Sequence, residues 1–211
     1  MAERDKRNAV LAARVIRGLE SRNMEGYYAE TKEEALKIAL DLIPEGSVIS
    51  WGGTKSVGEI GLFDAVRAGN YELIDRGSAK SPEEKRELQW KAFNADYFLG
   101  STNAMSEDGV MVNIDKIGNR IAAYAYGPAH VLFIVGMNKV VKTVEDAVSR
   151  ARNEASPINA QRFDLSTPCK GNGSCYNCKS ADTICCNVLI TRYSPEKGRV
   201  KVILVNEDLG F

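Results

Sequence analysis

The chain has one histidine, His130, and outside residues 169–186 it has no cysteine at all. A site built on several histidines is therefore excluded, and so is a disulfide framework spread through the fold as in small secreted proteins. It also lacks an excess charge, since 28 Lys and Arg balance 28 Asp and Glu. No global field draws it to nucleic acid or to an anionic membrane. No apolar run approaches the roughly 20 residues that span a bilayer, and the first ten residues, MAERDKRNAV, alternate charges where a secretory signal needs an apolar stretch. The expected location is cytoplasmic. Missing too are a P-loop, the dinucleotide-binding glycine spacing, a nucleophile elbow around a serine or cysteine, and any internal repeat. What remains is ordinary for a folded chain of 211 residues: 44% hydrophobic and 27% charged, enough for one buried core.

Helical signals open the chain. Ala12, Val15, Ile16 and Leu19 share one face of a helix expected within residues 1–24, with Arg7, Arg14 and Arg17 largely off it. Thr31 with Glu34, Ser81 with Glu84 behind Pro82, and Thr143 with Asp146 each start a further helix, the first running to Pro44. Between them lie short, largely apolar runs at 47–51, 71–75, 96–100, 110–114, 120–126 and 130–136. Runs of this kind suit strands covered on both faces, and their alternation with helices predicts an α/β fold around a mixed, largely parallel open sheet. Closer spacing after residue 110 predicts a local switch to hairpins. Composition changes at about residue 157, so 157–211 is expected to form an appendage: a cysteine-rich loop, then a terminal β-hairpin pairing CNVLITRY with RVKVILV across SPEKG.

Two places carry chemistry. SWGGTKSVGEIGL at 50–62 has the form of a buried strand, a tight turn and a helix start. Backbone amides there suit an anion, with Gly52 and Gly53 bending the chain and Thr54, Lys55 and Ser56 adding donors and charge. A well-capped turn that binds nothing leaves the same signature. Glu59 is a candidate acid or base, or simply a solvated carboxylate favoured by the helix dipole. Further along, GSTNAMSEDG and GNR put Asn103, Glu107, Asp108, Asp115, Asn119 and Arg120 at strand ends, where α/β sheets bind ligands. Several of them read equally well as turn residues.

The second place is the cysteine run. Cys169, Cys175, Cys178 and Cys185 follow C-x5-C-x2-C-x6-C, and Cys186 comes next. Four thiolates on a loop bearing Gly171 and Gly173 suit one tetrahedral sulfur-ligated centre, with Lys170 and Lys179 offsetting charge. Buried idle thiols are the alternative. Without a nearby histidine the ligation is all sulfur, which leaves an iron–sulfur cluster or zinc. Cys185 is the better fourth ligand, because Cys186 begins a strand and faces the other way.

Taken together, the glycine turn with EIGL at 59–62, the GSTNAMSEDG stretch, GNR at 118–120 and GMNK at 136–139 resemble the lactate-utilisation (LUD) domain over nearly the whole chain, trailing cysteines included. The resemblance implies a fold related to isomerases, deaminases and CoA transferases, whose members bind phosphorylated sugars, acyl-CoA or folate-like ligands at strand ends. Some LUD proteins are subunits of an iron–sulfur-dependent system that oxidises L-lactate to pyruvate. This chain is similar to the short members and has no ferredoxin-like C-x2-C-x2-C-x3-C-P repeat, so a complete lactate oxidase is not implied. The redox associations of the family favour iron–sulfur over zinc. The expected function is then binding of a small anionic metabolite, or a redox-linked subunit role, in lactate or organic-acid utilisation. Partners would be copies of the chain or other lactate-utilisation subunits, with no nucleic acid and no membrane. Two other readings stay open: an isomerase- or CoA-transferase-like enzyme using Glu59 or Asp108, and an interaction module stapled by its cysteine loop.

Overall fold

The computed structural model describes residues 2–211. Its centre is a six-stranded, wholly parallel sheet in the order β1-β10-β7-β4-β2-β3. The strands are β1 (Glu25–Ala29), β2 (Val48–Trp51), β3 (Glu72–Ile74), β4 (Tyr97–Gly100), β7 (His130–Gly136) and β10 (Val200–Val205). Alternation along these strands feeds two cores. Phe98, Val131, Phe133, Val135, Val202 and Leu204 face one side with Leu11, Val15 and Leu19 of helix α1 (Glu3–Ser21). Ile49, Leu99, Leu132, Ile134 and Ile203 face the other, beneath helices α2 (Lys32–Leu42), α3 (Ser56–Glu59) and α4 (Leu62–Ala68). A strand covered on both faces must be apolar throughout, which is why HVLFIVG carries no polar alternation. Each such Leu, Ile or Phe contributes roughly 1.5–3 kcal/mol by burial.

A second, four-stranded sheet supplies the mixed pairing, in the order β8-β5-β6-β9. Its strands are β5 (Ala104–Ser106), β6 (Met111–Asp115), β8 (Val140–Val141) and β9 (Asn187–Thr191); β5 and β6 form a hairpin that begins before the region where hairpins are expected. Helix α5 (Pro82–Lys91) flanks the first sheet's edge, and α7 (Val144–Arg150) packs on the second sheet through Ala147, with Ala151 just beyond it adding to the same core. Thr143 and Asp146 cap α7 reciprocally. At α2 and α5 the carboxylate reaches one residue further back: Glu34 accepts from the Glu30 amide and Glu84 from that of Lys80.

Two expectations differ from the fold, and strand β1 has no counterpart among them. The run 120–126 is not a strand but helix α6 (Asn119–Ala125). Gly118, at φ 91°, breaks the chain out of β6, and the alanine-rich IAAYA that follows favours helix. Strand β1 carries no strand signature in EGYYA, because it is a half-buried edge strand paired only with β10. The terminal segments do not form a hairpin. β9 runs antiparallel to β6 in the second sheet, whereas β10 inserts between β1 and β7 in the first. Residues 200–205 therefore belong to the core and not to an appendage. No helix among the described residues is long and apolar enough to cross a membrane.

Candidate functional site

Because the six strands are parallel, their C-terminal ends share one edge, and the loops after β2, β3, β4, β7 and β10 converge there around a cavity of about 830 Å³. Strand-end crevices are where open α/β sheets bind ligands. The glycine turn forms part of its wall. A Cβ at Gly52 would lie 2.6 Å from Cγ and 2.7 Å from Cδ of Arg120, so glycine is required for the arginine stem to cross the turn. The amides of Gly53, Thr54 and Lys55 meet no acceptor among the described residues, and Thr54 Oγ1 is buried without a partner.

Arg120 faces this cavity but is fully engaged. Its guanidinium donates to Asp115 (3.2 Å), to Asn113 Oδ1 (3.1 Å), to the Ile114 carbonyl (2.6 Å) and to Tyr124 (3.4 Å). The Asp115 and Tyr124 oxygens, outweighing burial, hold it above the ordinary arginine range. Asn103 is similarly occupied, its Oδ1 accepting from the Ile114 amide at 2.8 Å. Asn119, at the first turn of α6, lines the cavity with no hydrogen bond from its side chain among the described residues. Glu59 accepts from the Gly210 amide at 2.6 Å, tying the C-terminal segment across the turn.

Asp108 is placed elsewhere. The β5–β6 turn points at α1, where Asp108 pairs with Arg22 and accepts from Ser106 at 2.5 Å, and those donors hold its carboxyl below the usual range. A Cβ on Gly18 of α1 would come within 2.5 Å of the Asp108 carbonyl carbon. This close approach is what makes a helical glycine tolerable, and it keeps Asp108 off the cavity wall.

Two residues that the sequence did not single out dominate the site. Arg76, just after β3, lines the cavity with no hydrogen bond or ion pair to its guanidinium among the described residues; burial pulls its pKa down. Its guanidinium lies 3.4 Å from where a Gly53 side chain would begin, against the glycine turn. Lys139, just after β7, is 3% exposed, and its Nζ donates to Ser56 Oγ and Ser101 Oγ at 3.0 Å each. Burial first and Arg150 second push its pKa down to about 7, against the pull of Glu59. Ser56 thus lies behind Lys139 as its acceptor, fully buried. Arg76 directly follows an expected strand and Lys139 lies three residues past another, so strand-end position was the available signal. Trp51 is on the cavity wall, while Trp90 is 63% exposed. His130 Nδ1 meets the Gly198 carbonyl at 3.0 Å, as a strand-edge histidine does.

The cysteines gather at a second cavity of about 280 Å³, lined by Cys169, Cys175, Cys178 and Cys185 but not by Cys186, whose amide joins β9 to Asp115. All five are free thiols. Burial pushes the Cys185 thiol up, Ser156 beside it pulls the other way, and the neighbouring Cys175, Cys169 and Cys178 add to the rise. Hydrogen bonding from Ser180 lowers Cys178. Gly173, at φ 76°, and Asn177, at φ 50°, bend the loop; Gly171 lies inside the short helix α9 (Pro168–Asn172) and uses no such freedom. Among the described residues no three His, Cys, Asp or Glu side chains already stand in a metal-ligating arrangement. The four sulfurs share a cavity without being drawn to one point.

No curated protein matches the chain. Among solved structures it is similar to a DUF162 family protein from Deinococcus radiodurans, determined at 1.70 Å resolution, with a TM-score of 0.51 and 14% identity over 94% of this chain and 98% of that one. At that identity the likeness speaks to fold alone. The LUD domain family matches residues 12–205. That span runs from α1 to the last residue of β10 and takes in the glycine turn, both central cations and the cysteine segment, and so the chain belongs to the LUD domain family.

Proposed function

We propose that this LUD-domain protein binds a small organic anion at the strand-end cavity and serves a redox-linked step in lactate or organic-acid utilisation. One observation carries the reading: an arginine without a protein partner, Arg76, stands beside Gly53 and shares the cavity with a turn whose amides at Gly53, Thr54 and Lys55 also lack one. Arginine stays charged and offers a planar fork matched to carboxylate or phosphate. The lysines and arginines on the wall outnumber its aspartates, and of those Asp115 is spent on Arg120. An isomerase- or CoA-transferase-like step would draw on Glu59, close enough to raise Lys139, and not on Asp108.

Binding of pyruvate and of inorganic phosphate, followed by calorimetry, tests the anion site. Losing a charged hydrogen-bonding partner costs about 1.5–3 kcal/mol, so Arg76→Gln is expected to weaken the bound probe by roughly tenfold or more, and added salt to weaken the unaltered protein. Equal affinity in the variant would show that Arg76 holds nothing.

For the cysteines we propose an iron–sulfur centre held by Cys169, Cys175, Cys178 and Cys185. A lone zinc draws four sulfurs to about 2.3 Å from one point, and a cavity of about 280 Å³ walled by Ile114, Val148, Ile184 and Val188 has room for more than one ion. Such a group supplies one-electron chemistry, its potential set by the apolar wall and by hydrogen bonds to sulfur. Anaerobically purified protein is expected to hold iron and acid-labile sulfide in equal amounts, about two or four of each per chain. A single zinc without sulfide would make the loop a structural staple instead.

A further inference from the structure

We infer that loading of the cysteine centre and occupancy of the anion cavity are energetically coupled, because the cysteine segment is itself a wall of that cavity. The inference rests on the proposed anion site and goes beyond it. Ile114, Ser156 and Ile184 face both cavities, so a single layer of side chains separates them. Ile184 adjoins Cys185 in sequence, so a shift of the backbone that brings this sulfur to a shared centre carries the isoleucine with it.

A second tie runs through the other end of the loop. Arg162 and Phe163 line the anion cavity. Their segment is fastened to the cysteine-bearing helix α9: the Gln161 side chain donates to the carbonyls of Cys169 (3.4 Å) and Lys170 (3.3 Å), and Lys170 Nζ donates to the Phe163 carbonyl. Further on, the Ser166 amide donates to Asp182 at 3.0 Å, joining the two limbs of the loop.

The placement of Ser156 follows from a local irregularity. Residues Ala151–Ala155 form a π-helical turn between α7 and helix α8 (Ser156–Ala160). A π-turn inserts an extra residue into the helical register and often marks a functional site. Here it puts the Ser156 hydroxyl, which donates to the Ala151 carbonyl at 2.8 Å, at the partition beside Cys185. Ligation would hold the sulfurs of Cys169, Cys175, Cys178 and Cys185 on one centre. Loading therefore fixes residues 169–185, and with them Ile184 and the Arg162–Phe163 wall. By linkage, the anion must in turn retain the metal by the same factor.

The test compares the iron-loaded chain, reconstituted anaerobically, with the same chain stripped by a chelator, its fold checked by circular dichroism. Pyruvate and inorganic phosphate are titrated against both, read by the fluorescence of Trp51 on the cavity wall, with Trp90 replaced by Phe. Affinity is expected to be at least about fivefold tighter in the loaded form, and a saturating probe to slow iron loss to a chelator. Ile184→Ala, which removes no ligand, is expected to shrink the ratio of the loaded and stripped affinities toward one, whatever it does to each affinity alone. Equal affinities with and without iron would overturn the coupling and leave the anion site standing. Failure of both probes to bind either form would overturn the site and the coupling together, and a chain that takes up no iron overturns the coupling outright.

Discussion

Replacing Lys139 by Met is expected to stabilise the protein at pH 6 and to lose that advantage by pH 10. Burial pulls the amine from its ordinary 10.5 down to about 7. Below pH 7 the group is protonated in both folded and unfolded chains, and the folded state carries the full cost of a buried cation. Between 7 and 10.5 the unfolded chain holds the proton and the folded one does not, so stability rises with pH. Above 10.5 both are neutral and the cost is gone. The displacement corresponds to roughly 5 kcal/mol at low pH. Methionine also leaves the Ser56 and Ser101 hydroxyls without their 3.0 Å partner, a loss of about 1–3 kcal/mol. A net gain of about 2–4 kcal/mol at pH 6 follows, vanishing or reversing near pH 10, measured by urea unfolding of both proteins at the two pH values. A variant less stable than the parent at pH 6 would mean that the ammonium is a stabilising part of the native structure. A group that weakens the fold by this amount is the kind retained for its chemistry.

Arg120→Leu acts in the opposite direction. The guanidinium and the Asp115 carboxylate are 12% and 10% exposed, and the arginine also holds Asn113, Tyr124 and the Ile114 carbonyl. Removing it leaves a buried carboxylate and several acceptors unpaired. Breaking such a pair from one side costs about 3–5 kcal/mol, and for a chain of this size that lowers the melting temperature by roughly 10 °C. Differential scanning calorimetry measures it, and adding Asp115→Leu is expected to recover part of the loss, because the stranded charge is then gone. A single variant melting within about 2 °C of the parent would return Arg120 to the role the sequence suggested, a cation available to a ligand.

The sequence made the sheet edge legible more readily than what stands on it. The glycine turn, the GSTN stretch and GNR do meet at one cavity, because parallel strands deliver their ends to the same side. The charge states there were not legible. Arg76 and Lys139 look in sequence like any solvated cation after a strand; their isolation comes from elements distant in the chain, Ser56 and Ser101 among them. Asp108 was read as a strand-end acid because nothing in SEDG tells which way the β5–β6 turn faces, and Gly18, which receives that turn, lies 90 residues earlier. The terminal hairpin was expected because consecutive strands usually pair; here β9 and β10 are recruited by different sheets. The run 120–126 misled because alanine and tyrosine suit either element until Gly118 is seen to turn the chain.

The placement of β10 bears on how the molecule is made. During synthesis from the amino end, β1 and β7 emerge long before the strand that belongs between them, and until then each offers an open row of amides and carbonyls. The main sheet is thus joined late, by contacts of long sequence separation, which is the slow and aggregation-exposed route to a native state. A nascent chain stalled short of Val200 holds a split sheet whose two raw borders are complementary to the same missing ribbon, and this makes it a natural client for chaperones.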